Sequence, residues 1–96
     1  MKENFTSKER AVLRSKAQLL DPVVMVGKEG ASDNVVNALN EALDCHELVK
    51  VRFQDFKKDI RALSLDLEAK TDCTLVSTTG FTAVFYRYNP KLHKKA

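Results

Sequence analysis

The 96-residue sequence predicts an α+β two-layer sandwich, a helix followed by β-α-β-α-β-β that closes on a mixed four-stranded sheet. Three observations predict it. Thr6-Ser7-Lys8-Glu9 is a capping box that opens a helix, with Thr6 placed to cap the Glu9 amide while the Glu9 carboxylate reaches back. An apolar strand, Val23-Val24-Met25-Val26, runs into the turn Gly27-Lys28-Glu29-Gly30, and a second helical pattern starts directly after it. Further on, Leu48–Phe53 alternates with period two, and the turn Thr78-Thr79-Gly80 joins two β-rich stretches as a hairpin.

Taken in order, the first helix is expected from about Ser7 to Leu19, with Val12, Leu13, Ala17 and Leu20 as its apolar stripe. Asp21-Pro22 ends it, because proline cannot continue a helix. The strand Val23–Val26 is apolar at every position, which predicts cover on both faces. Ser32 or Asp33 caps a second helix reaching about Cys45, with Val35, Val36, Leu39, Ala42 and Leu43 facing inward. In Leu48–Phe53 the alternation points Val49, Val51 and Phe53 to the core and Lys50 and Arg52 away from it. A third helix is expected from about Phe56 to Ala69, burying Ile60, Leu63 and Leu67. A short strand within Cys73–Ser77 and a two-sided apolar strand, Phe81–Tyr88, complete the sheet, the latter in its middle. Two successive strand–helix–strand units place the second and third helices on one sheet face. Residues 1–90 thus read as one domain, and residues 91–96 as a short basic tail.

Composition excludes several classes of function. No apolar run approaches the roughly 20 residues of a membrane span. With no apolar export signal near Met1, the expected compartment is the cytoplasm. Cys45 and Cys73 are expected as buried thiols of a reducing compartment, and no paired Cys or His spacing forms a metal site. The glycine turn lacks the Gly-Lys-Ser/Thr ending of a nucleotide-hydrolysing P-loop. Cys45-His46 are sequence neighbours at a helix end, which does not pair a thiol with a base. No cofactor is expected, and no enzyme activity.

The net charge of +3 is unevenly distributed. Both chain ends are basic, whereas residues 21–48 carry one Lys against six acids. Most of those acids lie late in the second helix; Glu41 is on the order of 12 Å from its start. That exceeds the ~8 Å screening length of physiological salt, so only Glu29 and Asp33 compete with an anion at the turn. The turn itself has the makings of a phosphate site. Its glycines allow a positive φ or close approach of another backbone, and the following helix aims unpaired amides at it. Backbone amides and Lys28 must then do the binding, with the basic ends supplying longer-range attraction.

Three separated blocks carry a family resemblance: Val26-Gly27-Lys28-Glu29-Gly30-Ala31-Ser32, Ala42-Leu43-Asp44-Cys45-His46-Glu47-Leu48-Val49-Lys50-Val51, and Gly80-Phe81-Thr82-Ala83-Val84-Phe85-Tyr86-Arg87. In order and over nearly the whole chain they resemble the YhbY-type CRM domain, the chloroplast RNA splicing and ribosome maturation module. The resemblance implies a fold like the C-terminal domain of translation initiation factor three. It also implies RNA binding through the Gly-x-x-Gly loop and neighbouring basic surface. Free-standing members are associated with precursors of the large ribosomal subunit, so the implied partner is ribosomal RNA. The chain itself is expected to be a monomer. The chain departs from the family where Ala31-Ser32 replaces the usual Leu-Thr pair after the loop, and where Phe81 replaces a frequent Lys after the late glycine.

The expected RNA-binding residues are Gly27, Lys28, Glu29, Gly30 and Ser32 of the loop. A wider basic footprint adds Arg10, Arg14, Lys50, Arg52, Arg87, Lys91, Lys94 and Lys95. For each cation the alternative is a solvated surface charge. Phe85 and Tyr86 could stack on bases, but core packing suits that strand better. Two other classes compete with a non-catalytic RNA-binding assembly factor: a protein-interaction module whose basic ends bind acidic partners, and a small phosphate-binding enzyme.

Overall fold

In a computed structural model, residues 6–54 and 59–93 are described. They form α1 (Ser7–Ala17), β1 (Val24–Val26), α2 (Asp33–His46), β2 (Leu48–Phe53), α3 (Ile60–Thr71), β3 (Thr74–Thr79), β4 (Thr82–Tyr86) and a short 3-10 turn, Pro90–His93. The element order is the one the sequence predicts. The sheet order is β1-β2-β4-β3, with β1 parallel to β2 and β4 antiparallel to both of its neighbours. The hairpin strand β4 therefore does lie inside the sheet.

One face of the sheet carries the main core. Val24 and Val26 of β1, Val49, Val51 and Phe53 of β2, and Ala83 and Phe85 of β4 pack against Val35, Leu39 and Leu43 of α2 and Ile60 and Leu67 of α3. Both helices thus cover the same face, the two-layer arrangement expected. Burying each of these larger side chains contributes about 1.5–3 kcal/mol, so this layer dominates stability. The other face is only partly covered. There α1 lays Ala17 and Leu13 over Val76, Val84, Leu48 and Tyr86 in a second, smaller cluster.

The capping box forms as read. The Thr6 amide donates to Glu9 Oε1 at 3.0 Å and the Glu9 amide donates to Thr6 Oγ1 at 3.1 Å. These bonds with Thr6 hold the Glu9 carboxyl below its ordinary range. At the other end α1 stops at Ala17 rather than Leu19. Leu19 is 88% exposed, Leu20 and Val12 are exposed too, and only Leu13 and Ala17 of the expected stripe pack inward. With a single helix on that face there is too little surface to cover a wider stripe.

Other expectations are corrected by position in the sheet. β1 is an edge strand with one covered face, so Val23 and Met25 are exposed although the run is apolar throughout. β3 continues through Thr79 and β4 starts at Thr82, which shrinks the turn to Gly80-Phe81. Gly80 takes φ +57° as the first residue of this two-residue turn, the place such hairpins give to glycine. Phe81 consequently belongs to the turn and not to the core, and β4 ends at Tyr86. Cys73 is buried, but Cys45, near the end of α2, is exposed. α3 runs to Thr71, beyond Ala69; the expected start at Phe56 lies outside the described residues.

Candidate functional site

The loop between β1 and α2 is a compact unit. The Gly30 amide donates to the Gly27 carbonyl at 3.0 Å and the Ser32 amide to the Gly30 carbonyl at 2.9 Å. Ser32 is the N-cap of α2, its hydroxyl accepting from the Val35 amide at 3.4 Å. The Asp33 and Asn34 amides, which open α2 and have no intrahelical partner, point at the loop with the positive end of the helix dipole behind them.

The two glycines do different work. Gly30 has φ +65°, and a Cβ there would stand 3.2 Å from Cδ2 of Leu63, a residue of α3 on which the loop rests. Its identity is set by the fold. Gly27 has an ordinary φ, and a Cβ would meet only Gln54 Oε1 at 3.7 Å. Nothing internal demands glycine at that position. Its missing side chain leaves the backbone of the loop uncovered there.

Alternation along the strands sorts the cations. Lys50 and Arg52 project from the face opposite the two-helix layer, as expected, about 7 Å apart along β2. Arg14 on α1 faces Lys50 across a cleft of about 350 Å³ that is also lined by Ser77, Thr79 and Thr82. Beyond it, toward the glycine loop, Met25 is the register partner of Arg52. A second groove of about 540 Å³ there is lined by Pro22, Met25, Arg52, Phe53, Gln54 and Phe81. Gln54 ties this end to the loop, since its amide donates to the Val26 carbonyl at 2.9 Å. Among the described residues, the side chains of Arg14, Lys28, Lys50 and Arg52 have no hydrogen-bond or ion-pair partner. From the glycine loop, Gln54 leads to Arg52, and Arg52, Lys50 and Arg14 follow one another along the open face.

Two of the expected cations are engaged inside the fold instead. Arg10 donates from Nη1 to the carbonyls of Leu75 and Val76, at 2.9 and 2.6 Å. Those carbonyls are available because the β3–β4 register shifts between Leu75 and Ser77. Arg87 is held more completely. Its Nη1 donates to Asn40 Oδ1 and to the Thr71 carbonyl, and its Nη2 to the Asn40 carbonyl and to Asp44 Oδ1, at 2.6–3.1 Å. It fastens the end of β4 to the C-terminal halves of α2 and α3 and satisfies the Thr71 carbonyl, which the end of α3 leaves unpaired.

Lys91 lies near that same pole. The preceding Asn89 donates to the Asp44 carbonyl and to Glu47 Oε2, both at 2.6 Å. This is the far end of the 14-residue α2, roughly 20 Å from the glycine loop. Lys94 and Lys95 lie outside the described residues.

Reading the sequence missed two residues near the site. Lys70 of α3 donates to the Ala31 carbonyl at 3.3 Å and pairs with Asp66 at 3.2 Å, placing a further cation beside the loop. Phe81 exposes its ring next to Arg52 and Met25. The lysine had no local signal, because only tertiary packing brings α3 under the loop. Phe81 was hidden by an apolar run that suggested a longer strand.

Among the described residues no group of His, Cys, Asp and Glu could hold a metal ion, and no helix is long and apolar enough to cross a membrane.

A mixed sheet of this topology, with a Gly-x-x-Gly loop before a capped helix and cations on the open face, defines a two-layer α+β module. The chain belongs to the CRS1/YhbY (CRM) domain family, whose model matches residues 5–87. It is 39% identical over 84 residues to YqeI of Bacillus subtilis, named a probable RNA-binding protein, covering 86% of this chain and 88% of that one. A Haemophilus influenzae relative named RNA-binding protein is 31% identical, over 86% of this chain and 85% of its own. The solution structure of SAV1595 from Staphylococcus aureus superposes with a TM-score of 0.79 at 32% identity, covering 90% of this chain and 91% of that one.

Proposed function

We propose that this protein is a non-catalytic RNA-binding protein that associates with ribosomal RNA in precursors of the large ribosomal subunit and assists their assembly. In this reading it works in the cytoplasm as a monomer. The observation that carries the RNA reading is the row of cations, Arg52, Lys50 and Arg14, that leads from the glycine-loop end across the open sheet face. These three and Lys28 of the loop have no internal side-chain partner among the described residues. Membership of the CRM family and the RNA-binding names of its relatives support it. The ribosomal part rests on the family resemblance.

The RNA backbone passes over Gly27, where no side chain intervenes. First-turn amides of α2 and the Lys28 ammonium contact phosphate oxygens. Arg52, Lys50 and Arg14 continue the contact along the open face, and Lys70 flanks the loop. Glycine loops of this kind clamp about four nucleotides in the KH module, a comparable scale. Arg10 and Arg87 act in this picture by fixing the fold rather than by touching RNA.

Binding of ribosomal RNA measured across a salt series tests the reading. Affinity should fall steeply as salt rises, through counterion release. Lys28→Glu should weaken binding broadly and lower the salt slope by about one, with the domain still folded. Unchanged affinity of that variant across the series would refute the loop mechanism. Crosslinking in cell extract followed by sequencing of the attached RNA tests the ribosomal assignment.

A further inference from the structure

Phe81 is an aromatic ring in a place that packing does not explain. It is 41% exposed at the tip of the β3–β4 hairpin, while Phe53 and Phe85 are fully buried. The turn that carries it is held firmly. The Phe81 carbonyl accepts from the Phe53 amide at 2.7 Å, and the Thr82 hydroxyl donates to the Thr79 carbonyl at 2.8 Å. Beside the ring lies Met25, 47% exposed, in the groove that Arg52 and Gln54 also line. An apolar floor and a cation without a partner among the described residues thus share one open groove.

That combination fits an unpaired nucleotide. A base offers a flat π-face to an exposed aromatic ring, and its phosphate offers a charge to an adjacent guanidinium. Bases inside a duplex keep their faces covered by their neighbours, so a double helix cannot use such a platform. The groove is also in line with the backbone path. Phe81 immediately precedes β4, which neighbours β2, which neighbours β1 and its glycine loop; two strand spacings make about 10 Å.

We propose that Phe81, with Met25 beside it, is a stacking platform for one unpaired RNA base, and that Arg52 holds the phosphate of that nucleotide. The inference rests on the RNA-binding reading above and narrows the ligand to RNA with a single-stranded stretch at the glycine loop.

The test compares a 12-nucleotide oligouridylate with an abasic ribose-phosphate strand of equal length, using the full chain and fluorescence anisotropy. The parent should bind oligouridylate on the order of tenfold more tightly, the effect of one base–aromatic stack. Phe81→Ala should erase that difference while leaving abasic binding unchanged. Phe81→Leu keeps apolar cover on the turn but lacks the π-face, and should behave as the alanine variant does; Phe81→Trp should restore the difference. Lys28→Glu should weaken both strands alike. A parent that binds the two strands equally, or a Phe81→Ala variant that weakens both equally, overturns the platform and leaves the backbone reading standing. No binding of either strand overturns both.

Discussion

Replacing Gly30 by alanine puts a methyl group on a backbone held at φ +65°. For a residue with a Cβ that conformation costs roughly 1–2 kcal/mol. The new carbon would also stand 3.2 Å from Leu63 Cδ2, so the Leu63 side chain must shift by a few tenths of an ångström. Gly30→Ala should therefore destabilise the domain by about 2 kcal/mol, lowering the urea midpoint by roughly 1 M for a chain of this size. Gly27→Ala meets neither obstacle. Its φ is ordinary, and the nearest atom, Gln54 Oε1 at 3.7 Å, is in normal van der Waals contact at the end of a flexible side chain. Stability should be unchanged or slightly raised, by up to about 1 kcal/mol, because alanine restricts the unfolded chain. RNA affinity should nonetheless fall, since in the proposed binding mode the methyl group occupies the surface over which the phosphates pass. Equilibrium urea unfolding and RNA titration on the same preparations separate the two effects. A Gly30→Ala protein as stable as the parent would refute the strain argument. A Gly27→Ala protein that binds RNA like the parent would refute close approach at Gly27.

Arg87→Met keeps the side-chain stem and removes the guanidinium, leaving the Thr71 carbonyl at the end of α3 and Asn40 Oδ1 without this donor. It should cost about 2 kcal/mol in urea unfolding, nearly all from those part-buried acceptors, because the partner Asp44 is itself exposed and a surface ion pair contributes little. RNA affinity per folded molecule should be unaffected. Ser64 of α3 is fully buried, and its Oγ has no hydrogen-bond partner among the described residues. Ser64→Ala should raise stability by up to about 1 kcal/mol, read as a higher thermal midpoint.

Much of this architecture can be read locally. The Thr6–Glu9 box, the Ser32 cap and the alternation of Val49, Val51 and Phe53 each depend on residues a few positions apart, and each appears where the pattern puts it. The readings that changed all concern what lies on the far side of an element. Val23–Val26 is as apolar as a central strand, yet strand order leaves it on an edge with one bare face. Phe81 fits a strand pattern, yet the hairpin register makes it the tip. Arg10 and Arg87 look like surface cations among others, and only the bulge in β3 and the joined ends of α2 and α3 show what they bind.

For the candidate site the division is similar. The sequence by itself determined the glycine loop, its capped helix and the family, because strand, turn and cap follow from short-range sterics and hydrogen bonding. Tertiary structure decided which glycine serves the fold and which is bare, since that depends on Leu63 lying beneath Gly30. It also decided which cations remain available. A charge is free or engaged according to the carbonyls and carboxylates brought within 3 Å of it, and those come from segments 16 to 66 residues away.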